Sequence, residues 1–185
     1  MYFRIILLPD PKIYDEIAEL RDTISNKHDI PIDSKYKKVP PHISLLFLSQ
    51  NIGPQDAVDI TKRLKKPCMR LKPFKVRIEG FGYFTKTKSF PIYLAYLKVV
   101  KDKNLTRLYG LVDAHTMHYA KVKFAEFIPH ISLIGIGQSR AKFLKVRNEC
   151  QKIKFKRSFL AKAIYVGIQK NENDGCKLTR LGFNS

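Results

Sequence analysis

No stretch of this chain approaches the about 18 consecutive apolar residues that a membrane-spanning helix requires, so no membrane partner is expected. The N-terminal run Tyr2-Phe3-Arg4-Ile5-Ile6-Leu7-Leu8 stops at Pro9-Asp10. It is too short for the apolar core of a secretory signal with its basic flank and cleavage site. Cysteine is equally sparse. Cys68, Cys150 and Cys176 are an odd number, widely spaced, with no C-x-x-C pair, and they suggest neither a zinc site nor a disulfide framework. Free thiols fit a reducing compartment, and a cytoplasmic, intracellular protein is the expectation. A glycine-rich phosphate loop and a G-x-S-x-G elbow are both missing, which removes support for nucleotide-triphosphate enzymes and serine hydrolases. No low-complexity linker breaks the chain. Residues 1–185 are read as a single bilobal domain, expected to be a monomer.

Acidic residues are scarce as well. Sixteen Asp and Glu face 35 Lys and Arg, a formal net charge of +19. Such a field favours polyanions, nucleic acid first. With 25 lysines and 10 arginines, a lysine-rich composition accounts for part of the excess. The clusters at 35–38, 62–66, 86–88 and 152–157 are spread along the chain. Charge therefore ranks partners and identifies none.

What the chain does contain is enough apolar residue, 44%, to build a core. Residues 2–8 read as a strand. Ile13, Ile17, Leu20 and Ile24 recur at helical spacing over 11–27. Residues 42–48 read as a buried strand entered by Pro40-Pro41, and 54–65 as a helix opened by Pro54. Strands over 74–84 and 91–100 form a hairpin through Lys86-Thr87-Lys88-Ser89. Leu105, Leu108, Val112 and His115 mark a further helix, followed by a strand over 130–136 and a helix over 139–151. Residues 161–169 alternate as a strand does, and a turn at 171–175 leads to a last strand over 176–183. Each half carries a helix and a strand and then repeats them, which implies a pseudo-duplicated α+β fold.

Both halves also carry the same five residues. Pro41-His42-Ile43-Ser44-Leu45 returns as Pro129-His130-Ile131-Ser132-Leu133, 88 residues later. On a strand, residues i and i+2 share a face, so His42 projects with Ser44 and His130 with Ser132, while the isoleucines and leucines turn inward. Two imidazoles across a cleft suit acid–base chemistry near neutral pH. Two hydroxyls suit the non-bridging oxygens of a phosphate held between them.

With these motifs the chain resembles the 2H phosphoesterase superfamily, the LigT-like and RNA 2′,3′-cyclic phosphodiesterase-like proteins, whose signature is two H-x-[S/T] motifs on core strands at such a spacing. The likeness extends to Tyr2-Phe3-Arg4-Ile5-Ile6-Leu7, to Ile78-Glu79-Gly80-Phe81-Gly82-Tyr83-Phe84 and to Pro91-Ile92-Tyr93-Leu94, and so covers nearly the whole chain. The resemblance implies a bilobal fold of two antiparallel sheets flanked by helices around a central cleft. It implies metal-independent, cofactor-free cleavage of a phosphodiester in RNA or an oligonucleotide, either 2′,5′-linked (oligoadenylate among them) or ending in a 2′,3′-cyclic phosphate, or in a cyclic nucleotide. His42, Ser44, His130 and Ser132 are its catalytic residues. By analogy His130 is the base and His42 the acid in hydrolysis of the cyclic phosphate. Both motifs use serine where many members use threonine; the hydroxyl remains, without the methyl that stiffens its rotamer.

Around the motifs, Tyr36, Tyr83, Phe84 and Phe90 interleave with Lys38, Lys86 and Lys88. Tyr36, Lys38, Tyr83, Phe84, Lys86 and Lys88 are candidates for stacking a base and holding a backbone phosphate. His115 and His118, at helical spacing, could seed a metal site only if Glu126 reached them, and no metal is expected. His28 is read at a helix end. The rival to an enzyme is a non-catalytic RNA-binding module that keeps the cleft. The +19 charge favours it, and two intact H-x-S motifs count against it.

Overall fold

The computed structural model describes residues 2–32, 39–49, 52–85, 92–119, 126–170 and 174–184. Its strands are β1 (Tyr2–Leu7), β2 (Ile43–Ser49), β3 (Phe74–Phe84), β4 (Tyr93–Val99), β5 (His130–Gly137), β6 (Lys156–Ala161), β7 (Ala163–Gln169) and β8 (Lys177–Gly182). Its helices are α1 (Pro11–His28), α2 (Pro54–Met69), α3 (Lys103–Thr116) and α4 (Arg140–Lys152). The sequence pattern locates all of these but β6, whose exposed Lys156-Arg157-Ser158 start reads like a loop. His28 does close α1. α2 runs beyond the expected end at Lys65. Pro67 falls in its last turn, and buried Cys68 continues the stripe of Ala57, Ile60 and Leu64.

The helices begin where side chains satisfy their first N–H groups. The Asp10 carboxylate accepts from the Ile13 amide at 3.1 Å, and Asp102 accepts from Asn104 and Leu105. Ser139 accepts from Lys142. Pro11 and Pro54 occupy the first turns of α1 and α2. Asp29 ends α1 in the left-handed region, φ 50°.

All eight strands form one antiparallel sheet in the order β6-β3-β4-β5-β2-β1-β7-β8. The two separate sheets expected from the resemblance are thus corrected to one. Two four-stranded halves meet at β2 and β5, which share a single residue pair, Ile43 with Ile131. A bulge limits the pairing on each side. β1 pairs Ile6 with Ser44 but Ile5 with Leu46, which leaves Leu45 as the extra residue. β4 pairs Tyr96 with Ser132 but Ala95 with Ile134, which leaves Leu133 as the extra residue. A bulge bends its strand and sharpens the twist, so β2 and β5 diverge after touching once. It also explains why Leu45-Leu46 and Leu133-Ile134 are buried in succession.

The halves are related by a pseudo-twofold axis through that pair, β2 matching β5, β1 matching β4, β7 matching β3 and β8 matching β6. The helices are exchanged across it. α1, which precedes β2 in the chain, packs on β5 and α4; α3, which precedes β5, packs on β2 and α2. Lys27 bonds Glu149 at 2.7 Å and Arg157 bonds Glu16, which fasten α1 over the half it visits. One apolar cluster, from Phe3 and Ile5 through Ile43 and Leu97 to Ile131 and Val166, runs beneath both halves.

Arg21 on α1 is the charged residue most deeply set in this interface, 5% exposed. Its Nε donates to the Leu133 carbonyl at 2.8 Å and its Nη2 to the Ser132 carbonyl at 3.3 Å. The bulge takes Leu133 out of the ladder with β4, and the guanidinium serves its carbonyl instead. Replacing Arg21 with Met keeps the apolar stem and removes the donors. Stability should fall by about 2–3 kcal/mol, the scale of a charged hydrogen bond lost to buried acceptors. At roughly 2–4 °C per kcal/mol for a chain of this size, thermal denaturation should show a drop of about 5–10 °C. An unchanged midpoint would mean that those carbonyls are satisfied without Arg21.

Candidate active site at the seam of the two halves

Continuing the antiparallel register outward from Ile43 and Ile131 sets His42 opposite Ser132 and Ser44 opposite His130. The isoleucines are fully buried under the helices. The four polar residues therefore lie on the opposite face, where the two halves meet. His42, His130 and Ser132 are half-buried and Ser44 is exposed.

Each imidazole is held the same way. His42 Nδ1 lies 2.7 Å from the Pro40 carbonyl oxygen, and His130 Nδ1 lies 2.8 Å from the Ile128 carbonyl oxygen. A carbonyl only accepts, so Nδ1–H donates and the neutral ring carries its lone pair on Nε2. The proline before each histidine keeps the chain extended, which brings the carbonyl two residues back under the ring. No described residue engages the Ser44 or Ser132 hydroxyl. The site thus presents two Nε2 atoms and two hydroxyls to whatever enters.

The electrostatics keep both rings neutral. Burial pushes the His42 pKa down to about 4, and the Arg4, His130 and Arg21 charges add to the effect, against an opposing pull from the Pro40 carbonyl. Burial also lowers His130, opposed by the Ile128 carbonyl.

The surroundings of the two histidines differ. His130 stands between aromatic rings. Phe84 meets it edge-on at 5.1 Å between ring centres, Tyr96 lies 5.0 Å away, and the two aromatics are 4.6 Å apart. Gly82 makes this possible: a Cβ there would come within 2.3 Å of Tyr96 Cε2. Lys98 pairs across the ladder with His130. Beside His42 the wall is cationic, with Arg4 on the neighbouring strand and Phe47 against it.

Of the residues expected at the substrate, Phe84 is brought to His130. Tyr83 is not. It alternates to the helix face, packs edge-on against Phe143 at 5.8 Å, and its hydroxyl donates to the Arg147 carbonyl at 3.4 Å. Strand alternation makes this unavoidable, because neighbours on β3 face opposite ways. Tyr36, Lys38, Lys86, Lys88 and Phe90 lie outside the described residues. Tyr96 and Arg4 were not singled out from sequence. The one available signal was Gly82 inside a strand, which marks a close approach by a neighbour. His115 donates from Nδ1 to the Leu111 carbonyl at 2.9 Å, and Glu126 pairs with Lys101 at 3.5 Å. Among the described residues no three His, Cys, Asp or Glu gather as metal ligands would, and no helix is long and apolar enough to cross a membrane.

Comparison with known proteins places the family and the fold. The model of the 2′-5′ RNA ligase superfamily matches residues 9–173. The chain belongs to that superfamily, the 2H phosphoesterases. A Geobacillus thermodenitrificans protein named "Putative phosphoesterase" is 29% identical over 135 residues, 72% of this chain and 68% of that one. The fold is shared with TT0787 of Thermus thermophilus, TM-score 0.66 at 16% identity, covering 98% of this chain and 95% of that one. It is shared equally with E. coli LigT, TM-score 0.66 at 11% identity over 100% and 98% of the two chains. LigT has also been solved with 3′-AMP, TM-score 0.64 at 12% identity over 97% and 94%.

The depressed imidazole makes stability depend on pH. His42 changes from about 6.5 unfolded to about 4 folded, so the unfolded chain takes up the proton first as pH falls. Stability should be independent of this group above pH 6.5. It should decline from about pH 6.5 to pH 4 by up to about 3 kcal/mol, at 1.36 kcal/mol per unit, and level off below. Denaturant titrations of the protein and of His42→Asn check this: the decline should shrink in the variant. An NMR titration placing His42 near 6.5 would refute it.

Proposed function

We propose that this protein is a metal-independent phosphodiesterase acting on RNA or an oligonucleotide, at 2′,5′ linkages or at 2′,3′-cyclic phosphate ends. The observation that carries this reading is the single Ile43–Ile131 pair. It sets the two His-Ile-Ser motifs head to tail on one face, each imidazole pinned through Nδ1 and presenting Nε2. The LigT complex with 3′-AMP supports a nucleotide as ligand, and so does a complex of Kluyveromyces marxianus Usb1 with uridine monophosphate, TM-score 0.56 at 9% identity over 98% of this chain and 97% of that one.

With a 2′,3′-cyclic phosphate, one Nε2 takes a proton from water as its oxygen bonds to phosphorus. The other imidazolium gives a proton to the ribose oxygen that leaves, and a phosphomonoester remains. With a 2′,5′ linkage the free 3′-hydroxyl attacks instead, the 5′-oxygen leaves protonated, and a 2′,3′-cyclic end remains. Ser44 and Ser132 donate to the non-bridging oxygens, whose charge grows in the transition state. The electrostatics of the free site favour His42 as base, because its depression is the larger and its neutral form the more secure at pH 7. His130 is then the acid, its proton retained once a phosphate anion lies beside it. This reverses the roles carried over by analogy. Phe84 and Tyr96 offer a nucleobase an apolar wall on the His130 side.

His42→Ala or His130→Ala should each lower turnover by about 10²-fold or more, and the double variant should be little worse, since the pair acts as a unit. Ser44→Ala and Ser132→Ala should lose about 10- to 10³-fold, with threonine tolerated at both positions. The assay should offer 2′,5′-oligoadenylate, 3′,5′-RNA and 2′,3′-cyclic mononucleotides, with and without EDTA, and identify product ends by mass. Full activity in either histidine variant, or activity abolished by EDTA and restored by a divalent ion, would overturn the mechanism.

A further inference from the structure

Arg4 has no part in the chemistry above, yet it is held with care. It lies on the open face of β1, between buried Phe3 and Ile5. Its Nη2 donates to Gln169 Oε1 at 2.9 Å. The Gln169 amide, 3% exposed, is itself oriented, because its Nε2 donates to the Asp174 carbonyl at 2.8 Å. The guanidinium carbon stands 5.5 Å from the Phe47 ring centre. Gly167 forms the floor: a Cβ there would meet Arg4 Cγ at 2.9 Å and Cys176 Sγ at 2.8 Å. What this arrangement lacks among the described residues is an anion. Arg4 Nε is buried with no acceptor, and no described carboxylate pairs with it. A charge withdrawn from water without a counter-charge is costly, and a ligand phosphate would remove that cost.

Its place relative to the motif is fixed by register. Ile6 pairs with Ser44 and Arg4 with Phe47. Two residues of strand, about 7 Å at the usual rise, thus separate Arg4 from the Ser44 row, a step of the order of one nucleotide of extended backbone. The pseudo-twofold gives an internal comparison. Phe47 is three residues beyond Ser44; three residues beyond Ser132 is Gly135, which pairs with Leu94. At the matching place the His42 half thus has a guanidinium and the His130 half the apolar Leu94, and among the described residues it is His130 whose ring is flanked by aromatic rings.

We infer that Arg4 is a subsite for a backbone phosphate flanking the scissile one, so that the substrate is an oligonucleotide running from an aromatic wall at His130 to a guanidinium beyond Ser44. This rests on the proposed function and narrows its substrate class. The phosphate would accept from the guanidinium edge that Gln169 leaves open. Phe47, 39% exposed and stacked on Tyr2 at 6.3 Å, would carry the adjoining nucleoside.

The test uses a fluorescent RNA tetranucleotide, whose affinity is measured over a range of salt for wild type, Arg4→Gln and Arg4→Lys. Turnover of a 2′,3′-cyclic mononucleotide is compared with that of a dinucleotide ending in the same cyclic phosphate. Arg4→Gln should weaken tetranucleotide binding about tenfold and lower the log–log salt slope by about 0.7, one phosphate contact on a single strand. It should raise KM for the dinucleotide about tenfold more than for the mononucleotide. Arg4→Lys should keep the slope with weaker affinity, since ammonium lacks the fork and the ring stacking; if the glutamine variant does not fold, this one decides, and wild-type affinity and KM in it overturn the assignment. An unchanged slope in Arg4→Gln, or equal losses on both substrates, also overturns it. Arg4-dependent binding without cleavage of any substrate would sink the proposed function and leave the subsite standing. Cleavage with Arg4-independent binding would do the reverse.

Discussion

One backbone contact organises this protein: the pairing of Ile43 with Ile131, where β2 and β5 touch once. Around an antiparallel pair, the residues on either side are brought into register without further instruction. His42 faces Ser132 and Ser44 faces His130 because the isoleucines between them meet. Burial of those isoleucines holds the pair in place. The polarity of their neighbours keeps the other face open. Had the strands zipped further, the seam would be a continuous sheet surface. The bulges at Leu45 and Leu133 stop that, at the cost of ladder partners which Arg21 supplies on one side.

The exchange of helices follows from the same contact. With so little hydrogen bonding across the seam, the halves need another source of cohesion. It comes from α1 crossing to β5 and α3 crossing to β2, and from a core that does not respect the division. The geometry of the candidate site then depends on side chains far from it. Arg21 shapes the strand that carries His130 and Ser132, and also raises the potential at His42. Structural and electrostatic roles coincide in one buried guanidinium, which leaves little freedom to change it.

Pseudo-symmetry in the motifs coexists with asymmetry around them, and the second gives the site a direction. Two identical His-Ile-Ser segments with identical Nδ1 anchors would treat a substrate the same way from either end. Phe84 and Tyr96 on one side, and Arg4 on the other, break that equivalence. The Arg4 and Arg21 charges also help to lower the His42 pKa, beyond the burial that lowers both imidazoles.

Much of this was legible in the residues. The repeated Pro-His-Ile-Ser-Leu segment, the helical stripes and the alternation over 161–169 fix the elements, the α+β class and the four polar residues of the site, because periodicity and repetition are local properties. Three things were not legible. The merging of two sheets into one depends on how far β2 and β5 pair, and the two bulges that limit it are invisible in a run such as Leu45-Leu46. The sorting of Tyr83 from Phe84, and the arrival of Tyr96 beside His130, depend on strand phase and register. The significance of Arg4 and Arg21 depends on what surrounds them, since a lysine-rich surface gives no hint that two arginines are withdrawn from it. Sequence by itself singled out the polar groups of the candidate site. Only tertiary structure decided which of them meet, because side chains 88 residues apart are related by strand pairing alone.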